Sequence, residues 1–126
     1  ARFKKLVANE TGYPFHVFRA QDDKVIGACN VVDVRRHVAQ SAQIGYWLGQ
    51  DYTGYGFARA AVRATTKFCF ENLGLHRVEA AVQPENKRSV RLLEAVGFQK
   101  EGTLRGYLKI NGTWQDHDIY ARLSSD

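Results

Sequence analysis

The stretch from Gln43 to Ala61, QIGYWLGQDYTGYGFARAA, limits what this chain can fold into more than any other. An apolar run containing Ile44, Tyr46, Trp47 and Leu48 reads as a strand and is followed by a short polar turn. Two glycines one residue apart, Gly54 and Gly56, then lead directly into an alanine-rich helix. Strand, glycine turn and helix in that order can direct several backbone N–H groups at one anion. Glycine has no Cβ, so the backbone can take a positive φ and a ligand can approach it closely. The first helical amides have no partner inside the helix and lie at the positive end of its dipole. The same residues also serve as a plain tight connection between a strand and a helix, and this stretch alone leaves both readings open. It is neither the dinucleotide fingerprint, whose third glycine is missing, nor a nucleotide P-loop, since no Gly-Lys-Ser/Thr follows.

With 126 residues the chain forms one domain, 1–126, large enough for a hydrophobic core. Its 44% hydrophobic and 25% charged residues are those of an ordinary soluble globular protein. No apolar run reaches the length of a membrane span, and no signal peptide is visible. Cys29 and Cys69 fall in a strand-like and a helical run, so reduced core thiols in a cytoplasmic protein are expected. No Cys/His cluster has zinc spacing, and no metal is expected. The net charge of +5 favours an acidic partner, either a phosphorylated cofactor or a protein substrate close to RNA. The basic residues are scattered rather than run together, so direct nucleic-acid binding is not expected. The chain opens at Ala1 in a basic amphipathic stretch, without a methionine, and is expected to be part of something longer.

In chain order, residues 1–12 read as the end of a helix stopped by Gly12, and Pro14–Arg19 as a strand. Gln21–Lys24 reads as a hairpin turn, Lys24–Val34 as a second strand, and Arg35–Ser41 as a polar loop. Gln43–Leu48 completes an antiparallel meander. A helix is expected from Phe57 to about Leu73, burying Ala60, Ala61, Ala64, Phe68 and Leu73 and ending at Gly74. Arg77–Val82 alternates as a strand, with Val78, Ala80 and Val82 on one face, and Pro84 breaks it. Asn86–Val96 reads as a second helix with Asn86 as N-cap. Phe98–Ile110 and Thr113–Leu123 form a hairpin around Asn111-Gly112, two residues that tolerate positive φ. The order predicts a mixed α/β (α+β) domain, a mostly antiparallel sheet flanked by helices.

Three segments together resemble the GNAT N-acetyltransferases, and within them the RimJ/RimL group that acetylates protein N-termini, ribosomal ones included. They are YTGYGFARAA, then LHRVEAAVQPENKRSVRLLEAVGF (Leu75–Phe98), then EGTLRGYLKINGTWQDHDIYARL (Glu101–Leu123), covering roughly the last two thirds of the chain. The resemblance implies the GNAT acyl-CoA N-acyltransferase fold, here without the N-terminal strand and two helices that family members carry before this point. It implies acetyl-CoA as donor, with the pyrophosphate on the backbone of Gly54, Tyr55, Gly56, Phe57, Ala58 and Arg59. It places the pantetheine arm along Tyr46, Trp47 and Leu48, in a slot where this strand splays from Val78–Val82. A backbone N–H near Leu48 would polarise the thioester carbonyl there. Asn86 and Ser89 match the group's Asn-x-x-Ser, which implies that Asn86 bonds the pantetheine arm and Ser89 lies near the leaving thiol. As residues alone they are a helix cap and a first-turn serine, which is compatible with that role. Lys87, Arg88 and Arg91 could neutralise cofactor phosphates, though a solvated helix face accounts for most of them.

The resemblance also implies direct attack by a primary amine, foremost a protein α-amino group. Small amines (polyamine, aminoglycoside or amino acid) and a CoA-binding domain without turnover are the alternatives. An α-amine with pKa about 7.7–8.0 needs less help from a base than a lysine at about 10.4. The group's proposed glutamate base falls here on Leu108, which cannot serve, so Glu79 on the strand Arg77–Val82 is taken as its substitute. Tyr107, Asp116 and His117 are further candidates for lining the acceptor channel. Asp51 stands where the superfamily signature has Gln or Arg. Partners are thus a protein N-terminus, such as that of a ribosomal protein, or a small amine; no membrane is expected, and a homodimer is among the assemblies allowed.

Overall fold

The computed structural model describes residues 2–5, 12–18, 22–48 and 56–126. They form strands β1 (Arg2–Lys5), β2 (Tyr13–Phe18), β3 (Val25–Arg35) and β4 (Ser41–Leu48), then helix α1 (Phe57–Glu71) and β5 (Arg77–Val82). Helix α2 (Lys87–Ala95), β6 (Gln99–Ile110) and β7 (Thr113–Leu123) complete the chain. The seven strands make one sheet in the order β1-β2-β3-β4-β5-β7-β6. Every neighbouring pair is antiparallel except β4 and β5, which run parallel because α1 crosses between them. The mixed α/β reading holds, and the elements from β2 onward lie within one or two residues of their expected limits.

The first segment differs from its expectation. Residues 2–5 do not end a helix but form β1, laddered on β2 from Arg2 opposite Phe18 to Lys5 opposite Phe15. Four residues are too few to separate a helical from a strand period, and the free edge of β2 decides the matter. Residues 6–11 lie outside the described residues, as do Gly54 and Tyr55 of the glycine turn.

Helix α1 also buries a different stripe from the one expected. Ala61 is interior as foreseen, but with Val62, Thr65, Thr66 and Cys69, while Ala60, Ala64, Phe68 and Leu73 are only half-buried. Hydrogen bonding admits the two threonines. Thr66 Oγ1 donates to the Val62 carbonyl at 2.7 Å, so its hydroxyl enters the core already satisfied. Phe68 instead meets the meander, its ring edge-on to Tyr13 and Phe15 at 5.5 and 5.0 Å. Gly74, with φ of 67°, turns the chain after α1.

One core unites the α1 stripe with Cys29, Val31, Ala42 and Ile44 of the meander, with Val78, Ala80 and Val82 of β5, and with Leu93 and Val96 around α2. Both helices therefore pack on the same face of the sheet. No helix covers the opposite face among the described residues. Cys29 and Cys69 are free, buried thiols, as the sequence led one to expect. Burial pushes Cys29 up to about 11, partly offset by a hydrogen bond with Thr65. Burial likewise pushes Cys69 up to about 12, so both are inert thiols at neutral pH. Asn111 and Gly112, at φ of 51° and 81°, make the two-residue turn between β6 and β7. No helix among the described residues is long and apolar enough to cross a membrane.

Leu93 is fully buried at the centre of α2 and fastens that helix to the sheet. Leu93→Ala should lower unfolding free energy by about 2–5 kcal/mol through lost burial and the cavity left behind. A urea titration followed by circular dichroism checks this.

Candidate active site

The site is built where the sheet opens. β4 and β5 pair over three residues only, Ser41 with Arg77, Ala42 with Val78 and Gln43 with Glu79. Past Gln43, β4 stays laddered to β3 as far as Leu48 opposite Gly27. β5 stays laddered to β7 as far as Val82 opposite Asp118. Among the described residues, the edge of β4 from Ile44 to Leu48 thus faces a slot instead of a strand. Its backbone groups on that side are available to an extended ligand. The slot, of about 360 Å³, is walled by Ile44, Gly45, Tyr46, Ala81, Val82, Gln83, Asn86, Ser89 and His117.

A second cleft, of about 610 Å³, opens beside it between the N-termini of the two helices. Gly56, Ala58 and Arg59 line it from α1, and Arg88, Arg91 and Leu92 from α2. Tyr46, Asn86 and Ser89 line both spaces and mark where they meet. Gly56 is the N-cap of α1 with φ of 78°, and no side chain caps that helix. A left-handed N-cap without a side chain leaves the first turn accessible to an anion, and three arginines supply positive charge around it. No acidic residue occupies the first turn to compete. The α2 N-terminus is capped differently: Ser89 N–H donates to Asn86 Oδ1 at 3.2 Å.

The Ser89 hydroxyl lies beside the Tyr46 phenol, close enough to act on it. Burial raises the Tyr46 phenol above its ordinary range, and the Ser89 hydroxyl offsets part of that. Both hydroxyls are therefore hydrogen-bond donors at neutral pH where the two spaces meet. Trp47 points to the other side of β4 from Tyr46 and is 56% exposed.

Among the residues expected at the site, Tyr46, Trp47, Gly56, Ala58, Arg59, Asn86 and Ser89 all line the larger cleft. Phe57 opens α1 between Gly56 and Ala58, and Leu48 ends the free edge of β4. Arg88 and Arg91 line the cleft while remaining exposed to solvent, and Lys87, also exposed, does not line it. Glu79 is not part of either wall. It sits at the last paired position of β4 and β5, held by Arg77 Nε at 3.2 Å, and the same guanidinium also binds Glu101. Tyr107 accepts a hydrogen bond from Gln43 Nε2 at 3.2 Å and lies edge-on to His117 at 5.9 Å. Asp116 is engaged by the Gly106 amide at 2.8 Å. Gln83 and Leu92 were not anticipated. Gln83 precedes the helix-breaking Pro84 at the strand's end, a place where a polar side chain carries no periodic signal.

The profile of the acetyltransferase (GNAT) domain family matches residues 1–99. A probable N-acetyltransferase of Bacillus subtilis, YjcK, is 40% identical over 98% of this chain and 68% of its own length. The [ribosomal protein uS5]-alanine N-acetyltransferase of Escherichia coli is 34% identical over 92% of this chain and 60% of its own. Mycobacterium smegmatis RimJ, solved in complex with CoA-disulfide, superposes with a TM-score of 0.87 at 37% identity, covering 91% of this chain and 54% of that one. A chimeric spermidine N-acetyltransferase SpeG from Vibrio cholerae superposes with a TM-score of 0.83 at 30% identity, covering 93% and 69%. The chain thus spans between about half and two thirds of the length of these proteins.

GNAT acetyltransferases use acetyl-CoA, and the larger cleft fits it: an uncapped helix start and arginines for phosphates, then a free strand edge for an amide-bearing arm. Gly56→Asp should weaken acetyl-CoA binding at least tenfold in a calorimetric titration, because it sets a carboxylate at the helix start that would hold the phosphates. Nothing stands within 4 Å of the added Cβ, so the fold should survive the strain of a positive φ. A native circular-dichroism spectrum confirms that.

Proposed function

The chain belongs to the GNAT acetyltransferases, and from that footing we propose that it transfers acetyl from acetyl-CoA to the α-amino group of a protein N-terminus. Alanine or serine on a ribosomal protein is the favoured acceptor, in line with the uS5-alanine acetyltransferase among its relatives. The observation that carries this reading is the charge of the slot. No carboxylate lines either cleft among the described residues. The nearby acids are already engaged: Glu79 and Glu101 by Arg77, Asp116 by the Gly106 amide, Asp118 by Thr103 Oγ1 at 2.6 Å and Lys100 at 3.5 Å. A polycation such as spermidine needs spare negative charge along its path, whereas a peptide terminus brings one amine that must be neutral to react. The α-amine, with pKa about 7.7–8.0, is partly neutral at physiological pH without a strong base.

In this reading the amine enters from the helix-free face of the sheet and attacks the thioester in the slot. The free amides of β4 near Leu48 polarise the carbonyl. Ser89, backed by Tyr46, hydrogen-bonds the sulfur as the carbon–sulfur bond breaks. Asn86 holds the start of α2 and offers its amide group to the pantetheine arm.

The test is steady-state turnover with acetyl-CoA against peptides beginning in Ala or Ser and against spermidine. The peptides should give at least a tenfold higher kcat/KM, about 1.4 kcal/mol of discrimination. A preference for spermidine would overturn the acceptor assignment, and binding of acetyl-CoA without turnover on any amine would overturn the transferase reading. Ser89→Ala should lower kcat by about 10²-fold while leaving acetyl-CoA affinity within threefold. An unchanged kcat would remove Ser89 from the reaction.

A further inference from the structure

We propose that His117 is the catalytic base, accepting the proton that the acceptor amine loses; this rests on the acetyl-transfer reading of the site. β7 pairs with β5 so that Tyr120 lies opposite Ala80 and Asp118 opposite Val82, the residues that face the helices. Alternation then turns His117 to the other face, the one from which an acceptor can enter. β5 has already ended at that level, so the imidazole borders the slot itself, across from Tyr46 and Ser89.

The ring is held in one orientation and one tautomer. His117 is 4% exposed. Its Nδ1 lies 3.0 Å from the Gln115 carbonyl oxygen, which can only accept, so Nδ1 carries a proton and, in the neutral ring, Nε2 carries the lone pair. Tyr107 packs edge-on against the ring at 5.9 Å and is itself tied to Gln43 across the sheet. Among the described residues no hydrogen bond occupies Nε2, yet no buried side-chain nitrogen or oxygen lacks a partner. Nε2 is therefore not sealed from solvent, and the residue borders the slot. His117 thus borders the slot with its Nδ1 side tied to the backbone, whereas Glu79 is bound to Arg77 at the closed end of the same opening.

The chemistry balances without a further reactant. The amine nitrogen bonds to the thioester carbonyl carbon and its proton passes to His117 Nε2. The carbon–sulfur bond then breaks with its electron pair on sulfur, which takes the Ser89 hydroxyl proton as Ser89 regains one from water in the slot. The imidazolium returns its proton to water through the slot. One proton moves from nitrogen to sulfur, and an amide and a free thiol result.

Among the described residues, Tyr107 on β6 packs on the His117 ring, and the polar side chains that line the same slot are Tyr46 on β4, Gln83 after β5, and Asn86 and Ser89 at the start of α2. None of them is charged at neutral pH. Its chain neighbours Asp116 and Asp118 are bound to the Gly106 amide and to Thr103 and Lys100. On the proposed role, turnover needs the neutral ring, so kcat/KM should fall toward acid pH and that fall should depend on His117.

The experiment compares wild type, His117→Gln, His117→Ala and Glu79→Gln for acetyl-CoA affinity, for melting temperature, and for the pH profile with an Ala-initiated peptide. His117→Gln should bind acetyl-CoA within threefold of wild type, lose 10²-fold or more in kcat/KM at pH 7, and lose the acid limb. Added imidazole should restore part of the activity of His117→Ala, and Glu79→Gln should keep the acid limb. The proposal is overturned if His117→Gln turns over within threefold of wild type. It is equally overturned if His117→Gln loses acetyl-CoA binding and melting temperature together, or if Glu79→Gln is the variant that loses the limb. Should wild type acetylate no amine, the transferase reading fails and takes the His117 assignment with it. Failure of the variants alone leaves that reading standing.

Discussion

Everything in this molecule that bears on chemistry depends on a parallel ladder that lasts three residues. β4 and β5 meet at Ser41–Gln43 and Arg77–Glu79 and then diverge, because each is committed along its other edge. β3 holds β4 to its end, and β7 holds β5 to its end, so the two halves of the sheet twist as separate units beyond the shared root. A free strand edge inside a sheet is costly unless something satisfies it. Here the gap is lined by the Tyr46 and Ser89 hydroxyls and by two helix starts, so the backbone that remains unpaired faces a polar, accessible space. Arg77 closes the root by holding Glu79 and Glu101 at once, which raises the guanidinium's hold on its proton and lowers the Glu101 carboxyl.

The two sides of the opening are chemically unlike. On the helix side, Arg59, Arg88 and Arg91 surround an N-terminus left uncapped by glycine, an arrangement suited to phosphate. On the helix-free side the polar groups are neutral or already paired: Gln43 with Tyr107, Glu79 with Arg77, Asp116 with a backbone amide. A multiply charged donor and a singly charged acceptor can therefore meet at one point without competing for the same partners. The overall charge of +5 is thus less informative than its placement.

Much of this was legible in the sequence, for identifiable reasons. β5 was read to the residue because Val78, Ala80 and Val82 alternate without interruption between Gly74 and Pro84. The β6–β7 turn was fixed by Asn111-Gly112, and the start of α2 by Asn86, since both are local backbone chemistry. The α1 stripe was misjudged because two threonines enter the core through hydrogen bonds that no hydropathy pattern reveals. β1 was misread because its conformation is set by a partner strand rather than by its own period. At the site, the backbone-binding positions followed from glycine and helix start. Which of Glu79 and His117 borders the slot did not, because that turns on where the β4–β5 ladder ends.

That last point is a matter of register more than of residue type. Along β7 the residues His117, Asp118, Ile119 and Tyr120 are all buried, so burial alone does not choose which face each takes. The choice is made by the core. Tyr120 lies among the buried apolar residues beneath the helices, and Asp118 on the same face is held by Thr103 and Lys100 from β6. With those two fixed, His117 must face the other way; a slip of one residue would put its imidazole in the core and an aspartate in the slot. A carboxylate there would put negative charge into a slot that no carboxylate lines among the described residues. The packing of a tyrosine in the core therefore decides, one residue at a time, what chemistry the far side of the sheet can offer.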